Sequence, residues 1–408
     1  MNKKAPHLYI FNATSEMAIS NGTVSFMPNK ILSRFEQDLD VLPMYYAESK
    51  DIVLVHQYPD DAFIKSIKEA GVSIPRFALF PQAITDQTFL KEEKACLRPW
   101  GWSPRIHHQL AAFKSQCSEA YLDQPNSYWK SEHKELYSRK IALACLEHIT
   151  ANNPSEKYIS KDLFPIICTQ QSEVEALQNK WQQIVIKSPW SSSGRGLQVL
   201  RKAFINKSVE QALGGVLKSQ GYVMVEPLVN KQLDFSTQFY ADGKGNLEFL
   251  GFAFFNTNDN GQYQANYLGY TPEIFQKTLN RVEQEKLVKG ISEALKTNDI
   301  PQNYCGYLGV DCMLFFDAKG ESRIQPCLEI NLRYNMGTVA LKLNTYIHSE
   351  SKGTFNIYAD AKSDFVSFHK EMIKKYPFEM KDGKWYKGYL PLSSPNQDKL
   401  FGAYIFLE

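Results

Sequence analysis

The sequence of 408 residues contains no long hydrophobic run and no excess of charge of either sign. Its longest apolar segment, residues 249–255, has the length of a strand, whereas a membrane-spanning helix needs roughly 18 apolar residues. The 46 basic and 44 acidic side chains leave a net charge of +2, which provides no general attraction to nucleic acid or to an anionic membrane. We therefore expect no nucleic-acid partner and no membrane partner.

The sequence also lacks paired cysteines. Its seven cysteines are an odd number, are widely spaced and include no Cys-x-x-Cys pair, so neither a disulfide scaffold nor a zinc knuckle is expected. The apolar run that follows Lys3 and Lys4, residues 8–11, is too short for a secretory signal. These features predict a cytoplasmic protein with free thiols.

At roughly 100–200 residues per domain, the length of 408 residues predicts two or three domains, and the apolar fraction of 43% is typical of a folded globular protein. In the N-terminal part, strand-like segments at 8–11, 51–55 and 77–80 alternate with helical spacing, which is clearest over 60–70 and ends at Gly71. Strands separated by helices predict a parallel α/β sheet.

Further along, the apolar pattern predicts mixed helices and strands. Ser172 and Glu175 have the spacing of a capping box at the start of one helix. The predicted elements are a helix over 137–149, strand 164–168, helix 172–180, strands 183–187 and 197–200, helix 208–219, strand 222–226, a hairpin within 233–256, helix 280–296 and a hairpin within 307–331.

A loop of small residues follows the strand that ends in Lys187. Its small side chains are Ser191, Ser192, Ser193, Gly194 and Gly196. Glycine lets backbone N–H groups approach an anion, serine hydroxyls add donors, and the lysine adds positive charge. Lys187 precedes the loop and no helix follows directly, so the pattern is neither of the common glycine-rich nucleotide motifs. It favours a phosphate-binding loop, and the alternative is an ordinary turn.

The hairpin within 307–331 carries acidic residues among apolar ones. Glu329, Asn331 and Arg333 alternate along the second strand and project to one face, and Asp311 lies opposite Glu329 if the strands pair. Two carboxylates and an amide oxygen suit Mg²⁺, and the planar guanidinium of Arg333 suits a phosphoryl group. The alternative is that these side chains face solvent.

The strand 222–226 ends at Glu226 and is followed by a proline. Backbone groups at such a bend, including those of Leu228, lack a sheet partner and are suited to an adenine edge. Asp234 is suited to a ribose hydroxyl. Taken alone, the segment also fits a plain strand followed by a loop.

In this order the elements resemble the ATP-grasp superfamily of carboxylate–amine ligases, over roughly residues 135–345. The resemblance implies that Lys187 contacts the nucleotide phosphates under the loop 191–196, that the segment 226–229 contacts adenine, and that Asp234 holds the ribose. It implies a further basic residue on ATP, for which Arg139 and Lys140 are both candidates.

The resemblance also implies the metal site and the chemistry. Asp311, Glu329 and Asn331 would bind Mg²⁺, and Arg333 would act with Lys187 on the transferred phosphoryl group. The implied fold class is α/β. The implied parts are an N-terminal parallel α/β domain at 1–125, ATP-grasp subdomains at 126–228 and 229–350, and a C-terminal extension of unassigned role at 351–408.

Two clusters in the N-terminal part are candidates for an acceptor site. Residues 12–22 are small and polar and follow the first strand, where α/β proteins bind ligands. Residues 100–105 contain two tryptophans and an arginine. The alternative for both clusters is packing and turn formation.

The implied activity is an ATP- and Mg²⁺-dependent ligase. It would activate a carboxylate as an acylphosphate for attack by an amine, with a small metabolite, amino acid or peptide as substrate. Two alternatives stay open, namely a catalytically degenerate nucleotide-binding regulatory protein and a phosphotransferase that stops at a phosphorylated product. The sequence identifies neither the acid nor the amine, nor the oligomeric state.

Overall fold

The computed structural model describes residues 5–191, 196–201, 207–360, 363–396 and 399–408. The chain forms two compact units. The first unit comprises Met1–Trp129, Ala265–Tyr270 and Arg333–Glu408, and the second unit comprises Lys130–Gln264 and Thr271–Leu332. Three separate stretches of chain therefore build the first unit.

The N-terminal stretch of the first unit is organised around a four-stranded sheet. Its strands are β1 (His7–Ile10), β2 (Ile52–Val55), β3 (Arg76–Leu79) and β4 (Cys96–Pro99). Their order is β3-β2-β1-β4, and every neighbouring pair is parallel. All four residues of β2 are buried, as is usual where helices cover both faces of a parallel sheet. The predicted parallel α/β sheet is confirmed, and β4 is an additional strand.

Short helices connect these strands and follow the last of them. They are α1 (Ser15–Asn21), α2 (Lys30–Asp38), a 3₁₀ helix (Leu42–Tyr45), α3 (Asp61–Glu69), α4 (Phe80–Ala83), α5 (Gln87–Lys91), α6 (Pro104–Gln109), a second 3₁₀ helix (Ala111–Gln116) and α7 (Glu119–Leu122). The predicted helix over 60–70 corresponds to α3, whose N-terminus is capped by the Asp60 carboxylate, which accepts from the Ala62 N–H at 2.7 Å.

The second unit begins with a smaller, antiparallel sheet. Its elements are α8 (His133–Leu136), α9 (Arg139–Asn152), a 3₁₀ helix (Lys161–Leu163), β5 (Ile166–Cys168), α10 (Gln171–Trp181), β6 (Ile184–Lys187), β7 (Leu197–Leu200), α11 (Lys207–Gln220) and β8 (Val223–Pro227). The strand order is β5-β8-β6-β7. Apolar side chains of β6, β8, α10 and α11 form one buried cluster that includes Val174, Ile184, Ile186, Leu213 and Val225.

A larger antiparallel sheet completes the second unit. The elements that follow are β9 (Asn230–Asp242), β10 (Leu247–Thr257), β11 (Tyr263–Leu268), α12 (Glu273–Thr278), α13 (Arg281–Thr297), α14 (Ile300–Asn303), β12 (Cys305–Phe316) and β13 (Ser322–Asn331). Within this unit the strand order is β13-β12-β9-β10. Both predicted hairpins are present, and β12 and β13 pair with Asp311 opposite Glu329, as the alternation of side chains predicted.

The C-terminal stretch returns to the first unit. It contains α15 (Met336–Asn344), β14 (Gly353–Ala359), α16 (Phe365–Lys375), β15 (Glu379–Lys381), β16 (Lys384–Pro391) and β17 (Phe401–Leu407). With residues 265–268 of β11 these strands have the order β11-β14-β17-β16-β15. Buried hydrogen bonds join them to the N-terminal stretch, for example from the Trp385 indole N–H to Ala70 O at 2.7 Å and from Lys399 Nζ to Asp38 O at 2.9 Å.

Among the helices of the described ranges, none has both the length and the apolar character that a membrane span requires.

Candidate active site

A cavity of about 580 Å³ lies within the second unit, and seven of the residues that the sequence singled out line it. Its size is typical of a site for a cofactor-sized ligand. The predicted site residues that line it are Arg139, Lys187, Glu226, Leu228, Asp234, Asp311 and Glu329. These seven residues come from a helix, several strands and a connecting segment of the second unit, and they face one space.

Lys187 is the last residue of β6, and it forms an ion pair with Glu226. All four residues of β6 are buried, and Lys187 keeps only 8% of its surface exposed. Val185 lies opposite Glu226 in the β6–β8 ladder. Lys187 and Val185 share a face because they are two residues apart, so Lys187 Nζ reaches Glu226 Oε1. A predicted phosphate ligand and a residue of the predicted adenine-binding segment 226–229 thus contact each other.

Arg139 and Lys140 are neighbours in sequence, but only Arg139 lines the cavity. Arg139 is the first residue of α9 and is buried, and its Nη2 lies 2.9 Å from Glu329 Oε1. Its Nε donates to Ser188 O at 3.0 Å. Lys140 is exposed, and its ammonium lies 4.2 Å from the centroid of the Tyr222 ring. Of the two candidates that the sequence left open, Arg139 has the position suited to a ligand in the cavity.

The described ends of the small-residue loop are held together by backbone geometry. Ser188 N donates to Gly196 O at 2.9 Å, and Ser191 Oγ accepts from Arg139 Nη2 at 3.2 Å. Gly196 has a φ of +106°, and a Cβ there would lie 2.8 Å from Ser191 Cβ. Glycine is therefore required at this position both by conformation and by space. Ser192, Ser193 and Gly194 lie outside the described residues.

The segment 226–229, which was predicted to contact adenine, differs from expectation in one respect. Leu228 lines the cavity, but its N–H donates to Gln183 O at 2.9 Å, so the expectation that the backbone groups at this bend lack a partner is wrong for this group. The reason is that the chain continues beside β6 for one residue beyond the end of β8. An adenine contact at Leu228 would have to use a group other than this N–H.

Asp234, the predicted ribose ligand, already accepts two hydrogen bonds. Its Oδ2 lies 2.7 Å from Lys231 Nζ and 2.6 Å from Thr257 Oγ1. Lys231 also contacts Thr257 and lines the cavity. Sequence inspection missed Lys231, although a lysine three residues before an acid at a strand start was a usable signal.

The hairpin loop after β10 also lines the cavity and was not predicted as part of the site. Its residues 258–261 read Asn-Asp-Asn-Gly, and the Asn258 side chain accepts from Asn260 N and Gln262 N, both at 3.0 Å. Asp259 O accepts from Arg201 Nη2 at 3.1 Å, which connects this loop to the end of β7. The Asn-Gly turn signature was the available signal.

The predicted metal ligands lie at facing positions of β12 and β13. Asp311 is opposite Glu329 in the ladder, and Asn331 Nδ2 donates to Asp311 Oδ2 at 3.0 Å. No group of three or more His, Cys, Asp or Glu side chains with metal-binding arrangement occurs in the described part of the chain. Mg²⁺ is commonly held by one or two carboxylates, with water and substrate phosphates completing its shell, so the two carboxylates and the amide fit this ion.

Cys312 follows Asp311 but belongs to the core. Burial raises the pKa of its thiol well above the ordinary value, and the negative charge of Asp311 raises it further. The thiol is therefore protonated near neutral pH and is poorly suited to act as a nucleophile or as a thiolate ligand.

Arg333 and Asn331 are assigned to different units. Arg333 belongs to the first unit, where its Nε lies 3.0 Å from Glu16 Oε1 and its backbone pairs with Gly101. The neighbouring Tyr334 N donates to Trp100 O at 2.8 Å, which holds this segment beside the end of β4.

The two N-terminal clusters have different characters. The tryptophans of the segment 100–105 are buried and pack within the protein; Trp102, for instance, stacks on His107 with ring centroids 4.4 Å apart. The alternative given for this cluster, packing within the protein, therefore applies to the two tryptophans. The segment 12–22 instead places buried polar groups, among them Ser15 and Glu16, after the end of β1.

Comparisons with known proteins agree with this architecture. No family model matches the chain. The butirosin acyl-carrier protein–L-glutamate ligase of Niallia circulans is 23% identical over 412 residues, which cover 93% of this chain and 87% of that protein. The solved biotin carboxylase of Campylobacter jejuni, in a β,γ-ATP complex, covers 99% of this chain and 88% of its own, with 12% identity and a TM-score of 0.53. The chain has the ATP-grasp fold.

A second solved structure is similar over the whole chain. The N5-carboxyaminoimidazole synthetase of Staphylococcus aureus, complexed with ADP, covers 100% of this chain and 95% of its own, with 11% identity and a TM-score of 0.49. The similarity to the biotin carboxylase confirms the fold that the order of sequence motifs implied, an ATP-grasp fold preceded by a parallel α/β domain.

Proposed function

We propose that this protein is an ATP- and Mg²⁺-dependent ligase that joins a carboxylate to an amine. The observation that carries the proposal is the cavity of the second unit, which gathers seven residues that the sequence assigned to nucleotide and metal binding. Phosphoryl transfer depends mainly on positioning and charge neutralisation, and this set of side chains supplies both.

Each side chain has a role in this proposal. Lys187 and Arg139 bind phosphate oxygens, Asp234 accepts from a ribose hydroxyl, and Asp311, Glu329 and Asn331 hold Mg²⁺. The ion, when bound, neutralises charge on the phosphates. Arg333 steadies the transferred phosphoryl group. Binding requires partner exchange, because Arg139 contacts Glu329 and Lys187 contacts Glu226.

The proposed reaction has two steps. A carboxylate oxygen of the acid substrate attacks the γ-phosphorus of ATP, the bond to the ADP oxygen breaks, and an acylphosphate forms. The amine nitrogen then attacks the acyl carbon, phosphate leaves, and the nitrogen loses a proton to give the amide. No nucleophilic side chain is needed, which agrees with the seven cysteines being free and mostly buried.

The relative from Niallia circulans supports an amino acid as one substrate, because its name contains L-glutamate. We therefore infer small carboxylate and amine substrates, with an amino acid as one of them. A cytoplasmic location is part of the same proposal, since ATP is available there and unpaired cysteines are usual there.

The test measures ADP and phosphate release over a panel of amino acids, peptides and organic acids, with hydroxylamine added to trap an acylphosphate as a hydroxamate. A ligase releases both ADP and phosphate, and yields hydroxamate with its acid. ADP with a phosphorylated product and no phosphate would instead identify a phosphotransferase. Tight ATP binding without ADP release from any mixture would identify a regulatory nucleotide-binding protein.

A further inference from the structure

One wall of the cavity in the second unit is a row of side chains that crosses the larger antiparallel sheet. Met313 of β12 lies opposite Gln325 of β13 and also opposite Asp234 of β9. Asp234 in turn lies opposite Phe255 of β10. All four residues line the cavity. Directly opposite residues project from the same face of a sheet, so the row is a continuous strip of the cavity wall.

Gln325, at the β13 end of this row, has a buried polar atom that is not satisfied. The residue is 2% exposed, and its Oε1 has no hydrogen-bond partner within the described ranges of the chain. Its neighbour Met313 has no polar hydrogen to donate. Buried polar atoms are nearly always satisfied by protein, water or ligand, so this oxygen requires an explanation. Its position in the cavity wall provides one, because a ligand in the cavity can reach it.

Two polar groups that the sequence assigned to the nucleoside are already paired. Asp234 Oδ2 accepts two hydrogen bonds from other side chains. Leu228 N donates to Gln183 O at 2.9 Å, so the N–H that the bend after β8 would have offered to a base is in use. A base in this cavity therefore needs a further polar group, and Gln325 Oε1 is one.

Apolar side chains suited to the faces of a flat ring lie next to Gln325. Ile159 N donates to Ile324 O at 2.8 Å, so Ile159 is held beside β13 at the residue before Gln325. Ile159 and Met313 both line the cavity. Ligand sites commonly combine apolar walls with a few polar groups that fix orientation. A planar heterocycle here would place its faces against apolar atoms and an edge against Gln325 Oε1.

The strand register also places Gln325 relative to the proposed metal and ribose ligands. Asp311 and Met313 are two residues apart on β12, so the row of Gln325 lies roughly 7 Å from the pair Asp311 and Glu329. Two strand spacings, about 10 Å, separate Gln325 from Asp234 within the row. An adenosine spans such a distance between its ribose hydroxyls and its 6-amino group. The order along the wall therefore suits a ribose at Asp234 and a base at Gln325.

We propose that Gln325 Oε1 accepts a hydrogen bond from the exocyclic amino group of the purine base and thereby determines the preference for adenine nucleotides. The 6-amino group of adenine donates hydrogen bonds, and an amide oxygen accepts them. The inference rests on the proposed function, because it assigns base recognition in the same nucleotide site to a residue of β13.

The test compares ATP with purine riboside 5′-triphosphate, which differs from ATP only in lacking the 6-amino group. The Mg²⁺ complexes of both are titrated by calorimetry into the full-length protein and into Gln325→Met, which removes the amide but keeps an unbranched side chain. We expect the wild type to bind MgATP about tenfold more tightly than the analogue, and Gln325→Met to bind the two within about twofold of each other. Affinity for the analogue should be nearly the same in both proteins, because the analogue offers Oε1 no donor.

Gln238→Met is the matched control, because Gln238 is equally buried on the same sheet and is not among the residues that line the cavity. It should keep the preference for MgATP, and the thermal midpoint of each variant identifies unfolding. Equal affinity of the wild type for the two nucleotides would overturn the inference, and this comparison needs no variant. Gln325→Met that keeps the preference, or that loses affinity for both nucleotides equally, would also overturn it.

ADP release from the same samples separates this inference from the proposed function. If ADP is released with an acid and an amine while Gln325→Met keeps the preference for MgATP, the ligase stands and base recognition by Gln325 fails. If the preference depends on Gln325 but no mixture releases ADP, base recognition stands and the ligase fails. Absence of binding of either nucleotide to the wild type would overturn both.

Discussion

The charged side chains that line the cavity of the second unit are paired differently from Glu16, the buried glutamate that follows β1 in the first unit. In the cavity the charged groups pair with one another, as Lys187 does with Glu226, Arg139 with Glu329 and Lys231 with Asp234. Glu16, which follows β1, pairs with Arg333 through one oxygen, and its other oxygen has no hydrogen-bond partner among the residues that the structure describes. In the cavity, mutual pairing offsets most of the charge until a polyanion and a divalent cation replace the partners together. A single unpaired acceptor is instead suited to one donor.

The largest loss of turnover is expected from a change in the β12–β13 hairpin, which carries the proposed metal ligands. Glu329→Gln removes a ligand charge at little change in volume, and we expect turnover to fall more than about 100-fold, since losses of 10- to 100-fold already follow when groups behind metal ligands are changed. ADP release is the measurement. Glu321→Gln on the same hairpin is the control, because that carboxylate is exposed and pairs with Arg323. Wild-type turnover in Glu329→Gln would contradict the assignment of Glu329 as a Mg²⁺ ligand.

The next effect concerns Lys187. Lys187→Ala removes a charged donor to phosphate and leaves the Glu226 carboxylate facing the cavity, so we expect affinity for MgATP to fall about 10- to 100-fold. Titration calorimetry measures the affinity. Lys180→Ala changes a lysine on α10 that contacts Trp181, and it should have no effect on ATP binding. Unchanged affinity in Lys187→Ala would contradict its role.

Arg139 and Lys140 sharpen the comparison further, because they are adjacent residues with different environments. Arg139→Ala should weaken MgATP binding about tenfold. Lys140→Ala should change it less than twofold and should lower stability by about 0.5–1 kcal/mol through loss of the contact with Tyr222. Parallel ATP titrations and urea unfolding test both statements. The reverse order of affinities would place the basic ligand at Lys140.

The smallest effect tests the exchange of partners directly. Without Mg²⁺, the Glu329 carboxylate competes with phosphate for Arg139, so Glu329→Gln should bind metal-free ATP about two- to fivefold more tightly than the wild type. The same variant should bind MgATP more weakly. Titrations in EDTA and in Mg²⁺ give the two affinities. Weaker binding under both conditions would show that the Arg139–Glu329 pair is not exchanged.

The features that could be predicted from sequence are those governed by local periodicity. Alternation along β12 and β13, together with a glycine-containing turn, placed Asp311 opposite Glu329. Two short apolar runs predicted β1 and β2. Such runs between turn signals are typical of strands in a parallel sheet whose two faces are covered by helices. The positions of Lys187 and Glu226 at strand ends followed from the same pattern.

Features that depend on distant residues could not be predicted. The contact of Arg139 with Glu329 joins residues 190 positions apart in the chain, and nothing in either segment alone specifies it. Strand β4 ends in a proline before a segment typical of a loop. The capping box of α10 is formed by Gln170 and Glu173 rather than by Ser172 and Glu175, since the Glu173 carboxylate accepts from Thr169 N at 2.7 Å and Gln170 N at 3.0 Å.

The first unit is built from segments at both ends of the given sequence, and this determines when it can be completed during synthesis. All residues of the second unit have been translated once Leu332 is added, but the first unit also needs β14 to β17. Until the ribosome has released those strands, the N-terminal sheet lacks partners such as Trp385 for Ala70 and Lys399 for Asp38. The half that is made first is therefore the half that is completed last, and its exposed apolar surface in a nascent chain is a natural target for chaperones.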